Sequence, residues 1–470
     1  MSRIPAGVAH ATPARPLPSA VAIPVSRDAG RGLLVLAGRR DPRAGFLGGF
    51  HAFPGGVHEE SDGELIPGAE EEVLRRTAAR ELLEETGLRI DPADLLDAGR
   101  RITPPFSSRR FDSRMYLAPF AEPLLPSPST AELSDLHWTR PADLLTRWER
   151  REIRVSPPLL PLLREMVRDS SGSPRDLAGR LRSVNEEIEQ VGASAEFAPH
   201  VHLIPQATPT LPPATHTNCY LVGSREFVVI DPGSARADEA ERLRAHIARR
   251  VKEGGRPVAI LGTHHHPDHV AGVEVVANEW ELPVRMHRLT WEAWGGIPPQ
   301  GLDRQDLEDG AEIHLSGGER LRALHTPGHA VGHLSFLEER AGALFAGDLV
   351  SGASTILVES APGGLVRYLA SLARIRDLNA TTLFPAHGTP MTAPAADIQR
   401  VMDHRLDRER RILAAVVSGA RTVDEVVGVA YDDLPDSAHP LAALQAGTHL
   451  MKLEDEGRIS RDPSGTWSPA

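Results

Sequence analysis

Thr263-His264-His265-His266-Pro267-Asp268-His269 gathers imidazoles and a carboxylate in one short loop. The apolar run Val258-Ala-Ile-Leu261 before it reads as a buried strand, and Gly262 marks the break. A strand that ends in His-x-His-x-Asp-His can hold two metal ions side by side. Neutral imidazole and carboxylate suit zinc, manganese or iron(II). The bland alternative is a polar loop that happens to be rich in His. It is disfavoured because further ligand types follow downstream, each at a strand-to-loop junction where a rigid element can aim a side chain. Thr326-Pro-Gly-His329 places a His after a tight turn, Leu344-Phe-Ala-Gly-Asp348 ends an apolar strand on a carboxylate, and Leu383-Phe-Pro-Ala-His387 ends another on a His.

Around this loop the chain is long. Its 470 residues suit about three domains, and a hydrophobic content of 41% allows sizeable cores. The net charge of -12 excludes a bulk electrostatic nucleic-acid binder. Cys219 is the single cysteine, so no intrachain disulfide can form, which fits a reducing cytoplasm. The Pro/Ala-rich N-terminus lacks the pattern of a signal peptide. No run approaches the ~20 apolar residues of a membrane span, so a cytoplasmic protein without membrane contact is expected.

The predicted order starts with a flexible leader over 1–18. Strands follow at 19–25 and 32–37, then a glycine-rich loop over 45–56. A helix over 69–85 is stopped by Gly87. Ser170-Ser-Gly-Ser-Pro174 has linker composition, so 170–198 reads as a linker with a polar helix. Alternating helices and strands occupy 199–394, and helices closed by a hairpin fill 395–470.

The His/Asp set resembles the metallo-β-lactamase-fold hydrolases. That resemblance implies one metal on His264, His266 and His329, a second on Asp268, His269 and His387, and Asp348 between them. The pair is expected to be two Zn²⁺, with Mn²⁺ or Fe²⁺ as alternatives. Asp231 matches the family's strand-end Asp and is expected to organise ligands rather than bind metal. Two cations sharing a water lower its pKa toward ~7, so Asp268 and its neighbours serve hydrolysis at neutral pH. True lactamase activity is disfavoured. The dizinc lactamases often use a Cys ligand, and Cys219 lies too early in the chain. His265 is expected to point away, and His333, His287, His314, His325 and His439 are expected to be satisfied or surface residues.

The tail over 395–470 resembles the winged helix of lactamase-β-like-2 proteins, whose known members include a single-strand-selective endoribonuclease. RNA is therefore one candidate partner, and His404, Arg405 and Arg408 on the tail's first helix are candidate substrate contacts. The opening loop is also similar to glyoxalase-II-type thioesterases.

A second motif stands upstream. Glu81, Glu84 and Glu85 share one helical face, and clustered like charges there call for a cation; their oxygen ligands suit Mg²⁺ or Mn²⁺. Arg80-Glu-Leu-Leu-Glu-Glu-Thr-Gly-Leu88 resembles the core of the Nudix box, with Gly56 as its starting glycine and Glu72 as its earlier Glu. The gap between them is longer than the standard box by roughly ten residues. The resemblance, closest to the Nudix-19-like branch, implies metal ligation by Glu81, Glu84, Glu85 and the Gly55 carbonyl, and pairing of Arg80 with Glu72. Some members of that branch cleave coenzyme A and its esters. The expected architecture is multidomain α+β and α/β: a Nudix α/β/α sandwich over 19–169, a metallo-β-lactamase αβ/βα sandwich over 199–394, and a small winged-helix-like domain over 395–470. The expected activity is that of a bifunctional hydrolase of a small phosphoanhydride or thioester. A ligand-binding sensor role for the first domain is the alternative, and the oligomeric state stays open.

Overall fold

Alternation along two neighbouring strands decides the first half of the molecule. The computed structural model describes residues 11–294 and 301–470, and the chain divides into two compact units, Pro13–Leu203 and Ile204–Ala470. The first unit runs β1 (Leu17–Asp28), β2 (Gly32–Arg40), β3 (Phe50–Ala52), β4 (Gly55–Val57), α1 (Glu70–Thr86), β5 (Leu96–Ile102), β6 (Phe111–Phe120), β7 (Leu133–Thr139), α2 (Pro141–Glu149), β8 (Arg154–Val155), α3 (Leu159–Arg168), α4 (Pro174–Val191) and β9 (Ala195–Ala198). Its main sheet has the order β5-β6-β1-β2-β3-β8, with β4 also on β1 and β7 on β2. Along β1, Ala20 and Ala22 face α1, whereas Ile23 and Val25 face α2, α3 and α4. Tyr116 and Ala118 against Met115 and Leu117 repeat the split on β6. A side-chain period of two thus covers both faces of one sheet with helices.

Helix α1 lays Leu74, Ala78 and Leu82 on the small alanines of β1. It ends at Gly87, whose φ of 76° lets its N–H reach the Leu83 carbonyl at 2.8 Å. Leu82 is fully buried. Leu82→Ala should destabilise this unit by about 2–5 kcal/mol, read as a lower melting temperature.

Two expectations change here. Of the leader expected over 1–18, residues 1–10 lie outside the described residues, and Leu17 and Pro18 already belong to β1. The stretch read as linker is mostly α4, whose Leu177, Ala178 and Leu181 are part of the first unit's core. Apolar residues four apart gave that polar helix a buried stripe.

The second unit runs β10 (Val201–Ala207, which begins at the end of the first unit), β11 (His216–Val222), β12 (Glu226–Ile230), α5 (Ala237–Lys252), β13 (Arg256–Leu261), α6 (Pro267–Val270), α7 (Val273–Trp280), β14 (Val284–Met286), α8 (Arg288–Ala293), β15 (Arg304–Asp306), β16 (Glu312–His314), β17 (Arg320–His325), β18 (Leu334–Glu338), β19 (Ala343–Gly347), α9 (Gly364–Arg376), β20 (Thr382–Pro385), α10 (Pro394–Val417), α11 (Val423–Ala430), α12 (His439–Asp455), β21 (Ile459–Arg461) and β22 (Trp467–Pro469). One sheet has the order β15-β14-β13-β12-β11-β10 and the other β16-β17-β18-β19-β20. Cys219 and Leu221 on β11 turn outward to the core under α5 and α7, while Tyr220 between them turns inward to Phe345 and Phe384 of the second sheet. Leu344 and Leu383 flank those phenylalanines and turn outward to α9. Helix, sheet, sheet, helix follows from that alternation.

Helix α10 serves two cores. Ile398 near its start joins the core under α9, and Ile412 and Val416 near its end join α11, α12, Ile459 and Trp467. Thr422 and Glu425 cap α11 reciprocally, and β21 and β22 close the tail as an antiparallel hairpin.

Candidate metal centre

The loop after β13 owes its shape to a buried carboxylate. Asp231, directly after β12, accepts the Thr263 N–H at 2.8 Å, the Thr263 hydroxyl at 2.6 Å and a His269 Nδ1 contact at 2.8 Å. Its own backbone sits at φ 50°, in the left-handed region. His266 then caps the short α6, which carries Asp268 and His269. Gly233 packs beneath it; an added Cβ there would lie 1.9 Å from the Asp268 carbonyl oxygen.

The predicted side chains converge. His264 Nε2 is 2.9 Å from His266 Nδ1, and His329 Nε2 lies 3.2 Å and 2.9 Å from those two atoms. On the other side, His387 Nε2 is 3.6 Å from Asp268 Oδ2. Asp348 reaches both sets: its Oδ1 is 3.2 Å from His387 Nε2 and 3.5 Å from His269 Nε2, and its Oδ2 is 3.4 Å from His329 Nε2. Three groups each bring their ligand atoms within 4.8 Å: His264 with His266 and His329, His264 with His269 and Asp348, and Asp268 with His269 and His387.

The far ring nitrogens are anchored. His329 Nδ1 faces the Leu357 carbonyl at 2.7 Å and His387 Nδ1 the His216 carbonyl at 2.9 Å. An N–H donated there leaves the Nε2 lone pair aimed at the site. His269 Nε2 and Asp348 Oδ1 are buried and make no hydrogen bond. A divalent cation satisfies both, so the residues fit such an ion. Burial and the neighbouring imidazoles push His264 well down and His266 to about 2, keeping both in the neutral form that binds metal. For His269 burial works the same way, but Asp348, Asp231 and Asp268 overcome it and raise its pKa.

Several histidines outside the three groups have structural partners. His333, fully buried, bonds through Nδ1 with Thr326 and accepts the Asp348 N–H at Nε2, so it fixes the backbone of a candidate ligand. His265 belongs to none of the three groups. His287 stacks on His325, and His314 pairs with Glu312.

In the first unit α1 presents the glutamates as expected, with Glu81 and Glu85 buried and Glu84 more open. Gly56 lies against Glu81, where a Cβ would sit 2.2 Å from Oε1. Gly55 gives its N–H to Glu85 Oε2 at 2.8 Å, and Glu85 Oε1 is buried without a partner. That orphaned oxygen among clustered carboxylates fits a hard cation.

The pairing of Arg80 with Glu72 is corrected. Glu72 is exposed and pairs with Arg76 at 2.7 Å. Arg80 instead meets Asp62 twice, at 2.8 Å and 3.1 Å, and its Nη1 lies 3.0 Å from both Glu81 and Glu84. The reason is distance along the helix: α1 already begins at Glu70, so eight residues separate Glu72 from Arg80 by ~12 Å of rise. The insertion supplies the replacement, since Asp62 closes the 3-10 turn Glu60–Asp62. The only sequence signal for it was an acidic turn inside the inserted stretch.

Burial raises Glu81 to about 7 and Glu85 to about 8. Both folded values lie above the ordinary carboxyl value, so their stabilising contribution is full below ~4.5 and is lost as pH rises through 7 to 8. In chelator the first unit should therefore melt lower at pH 8.5 than at pH 6, and Mg²⁺ should remove most of that difference; equal melting at both values would contradict it.

The tail residues separate. Arg408 is buried against Asp433 at 2.9 Å, so it is an internal structural cation and not a substrate contact. Arg405 is buried beside Gln445 at 2.7 Å, and His404 is exposed.

Three family models match this chain: the metallo-beta-lactamase superfamily over residues 212–387, the beta-lactamase associated winged helix domain over 422–467, and the NUDIX domain over 16–159. An atrochrysone carboxyl ACP thioesterase of Aspergillus chevalieri is 36% identical over 260 residues, 53% of this chain and 79% of that protein. A beta-lactamase-like protein 2 homolog of Drosophila melanogaster is 31% identical over 253 residues, 52% of this chain and 84% of that protein. A beta-lactamase domain protein from Burkholderia ambifaria shares the fold at a TM-score of 0.53 and 20% identity, over 59% of this chain and 93% of that one. No helix among the described residues is long and apolar enough to cross a membrane. The chain belongs to the metallo-beta-lactamase superfamily, and it joins to that hydrolase domain a Nudix domain and a beta-lactamase-associated winged helix.

Proposed function

We propose that the His/Asp centre hydrolyses an acyl thioester and that the glutamate helix hydrolyses a nucleoside-diphosphate-linked phosphoanhydride, coenzyme A or its esters among them. The observation that carries the first half is the convergence of His264, His266, His329, Asp268, His269, His387 and Asp348 around buried, unpartnered His269 Nε2 and Asp348 Oδ1. His264, His266 and His329 would hold one divalent cation and Asp268, His269 and His387 the other, with Asp348 placed within reach of both sets of ligands. Two Zn²⁺ are the expected pair, with Mn²⁺ or Fe²⁺ as alternatives. Bound there, such cations lower the pKa of water and polarise a carbonyl. Asp268 takes the proton of the attacking water, a C–O bond forms as the C–S bond breaks, and that proton passes to the departing sulfur, which leaves as a thiol. Asp231 fixes the His269 tautomer throughout. The relative named as an ACP thioesterase supports the thioester over other acyl groups.

In the first unit Glu81, Glu84 and Glu85, with the Gly55 carbonyl, hold Mg²⁺ or Mn²⁺. Arg80, gripped by Asp62, spaces the carboxylates. Glu81 takes the proton of the attacking water, a new P–O bond forms as the P–O–P bridge breaks, and the departing phosphate leaves with the bridging oxygen.

The test is a substrate panel on wild type, Glu85→Gln and Asp268→Ala: coenzyme A, an acyl-coenzyme A, ADP-ribose, a simple acyl thioester and single-stranded RNA. Thioester turnover should vanish in Asp268→Ala alone, and diphosphate cleavage in Glu85→Gln alone. RNA cleavage lost in Asp268→Ala, with no thioester turnover in wild type, would replace the thioester by a phosphodiester.

A further inference from the structure

Two buried arginines one turn apart on α10 differ in one respect. Arg408 has its carboxylate, Asp433. Arg405 is 3% exposed and has no carboxylate within ion-pair distance among the described residues. Its Nη1 meets the Gln445 side chain, its Nη2 meets the Ile356 carbonyl, and its face lies over the Tyr368 ring. Its Nε–H is buried without an acceptor. Buried guanidinium charge is almost always paired, because leaving it alone in low dielectric is costly.

Arg405 lines a cavity of about 250 Å³. Ser351, Ser354 and Thr355 line it from the segment after β19, and Arg400 and His404 from α10. These offer hydroxyl and cationic donors around the unpaired guanidinium, and the lining includes no carboxylate. Two backbone links tie the cavity's lining to residues of the His/Asp centre. Ser351 Oγ lies 3.4 Å from the His387 carbonyl oxygen, and Ile356 precedes Leu357, whose carbonyl anchors His329.

We propose that this cavity is an oxyanion subsite, in which a carboxylate or phosphate carried by the substrate meets Arg405, with His404, Arg400 and the serine and threonine hydroxyls around it. The proposal rests on the thioester reading and narrows it: the preferred substrate carries an anionic group at a fixed distance from the scissile C–S bond. Arg405 is a binding residue here; Gln445 and the Ile356 carbonyl hold it in place.

The experiment has two arms on the full-length, metal-loaded protein. In the first, calorimetry measures binding of inorganic phosphate and of acetate at constant ionic strength to wild type, Arg405→Gln, Arg405→Lys and the exposed-site variant His404→Gln. Wild type should bind one or both anions. Arg405→Gln should weaken binding about ten- to hundredfold, Arg405→Lys less, and His404→Gln by about threefold to tenfold. Stronger binding of phosphate or of acetate identifies the group. In the second arm, KM is compared for an acyl thioester bearing an anionic group and for a neutral one. Arg405→Gln should raise KM for the anionic substrate alone and leave kcat and the neutral substrate unchanged.

If Arg405→Gln fails to fold, the His404→Gln data decide. Unaltered anion binding in both folded variants, or equal KM changes for charged and neutral thioesters, would overturn the subsite. Anion binding lost as expected in a protein that hydrolyses no thioester would keep the subsite and remove the thioester reading.

Discussion

Replacing Asp348 with alanine is expected to cut turnover at the His/Asp centre about a thousandfold or more and to leave diphosphate cleavage by α1 at its wild-type level. Among the described residues, Asp348 is the one carboxylate whose oxygens approach both sets of imidazoles, at 3.2 Å from His387 and 3.4 Å from His329. Its loss leaves His269 and His387 buried without the carboxylate that raises the pKa of both. Metal per chain, measured by emission spectrometry after dialysis, should drop at this centre only. A variant that keeps two equivalents and full thioester turnover would show that Asp348 is not between the metals.

The second large effect is on stability. Asp231→Ala removes the acceptor of three buried groups, Thr263 N–H, Thr263 hydroxyl and His269 Nδ1. Breaking such a buried, charged network typically costs about 3–5 kcal/mol. At the scale of the second unit that lowers the melting temperature on the order of 10 °C. Metal affinity should also fall about ten- to hundredfold, because His269 loses the partner that fixes its ring. Asp231→Asn separates the two effects. It keeps the shape and one acceptor oxygen, so it should recover most of the melting temperature and little of the metal affinity. Equal recovery of both would mean that Asp231 acts by shape alone.

Much of the His/Asp centre was legible because its ligands come in local runs at strand ends. A strand needs only its apolar period, and the residue after it is then aimed by the sheet, as with Ile230 and Asp231 or Gly347 and Asp348. The glutamates were legible for the same local reason, since i, i+3 and i+4 fix a helical face. Asp62 was not, because its meeting with Arg80 spans eighteen residues and an insertion with no periodicity. The difference between Arg405 and Arg408 was also invisible. Both share a helical face in sequence, and only the position of Asp433 on a later turn decides which one is paired. The polar helix over 174–191 was expected as a helix, but its place in the first unit's core was missed, because its buried stripe is narrow and serine and glycine dominate the residues before it.

Strand β1 sets the order in which this protein can be born. It pairs with β2 and β4, which follow closely, but also in parallel with β6, from Leu17↔Phe111 to Ser26↔Phe120. A ribosome adding roughly 5–20 residues per second needs about 5–20 s to deliver those last ninety-odd residues. Through that interval one edge of an apolar strand waits for its neighbour, and its unpaired backbone is open to pairing with another chain.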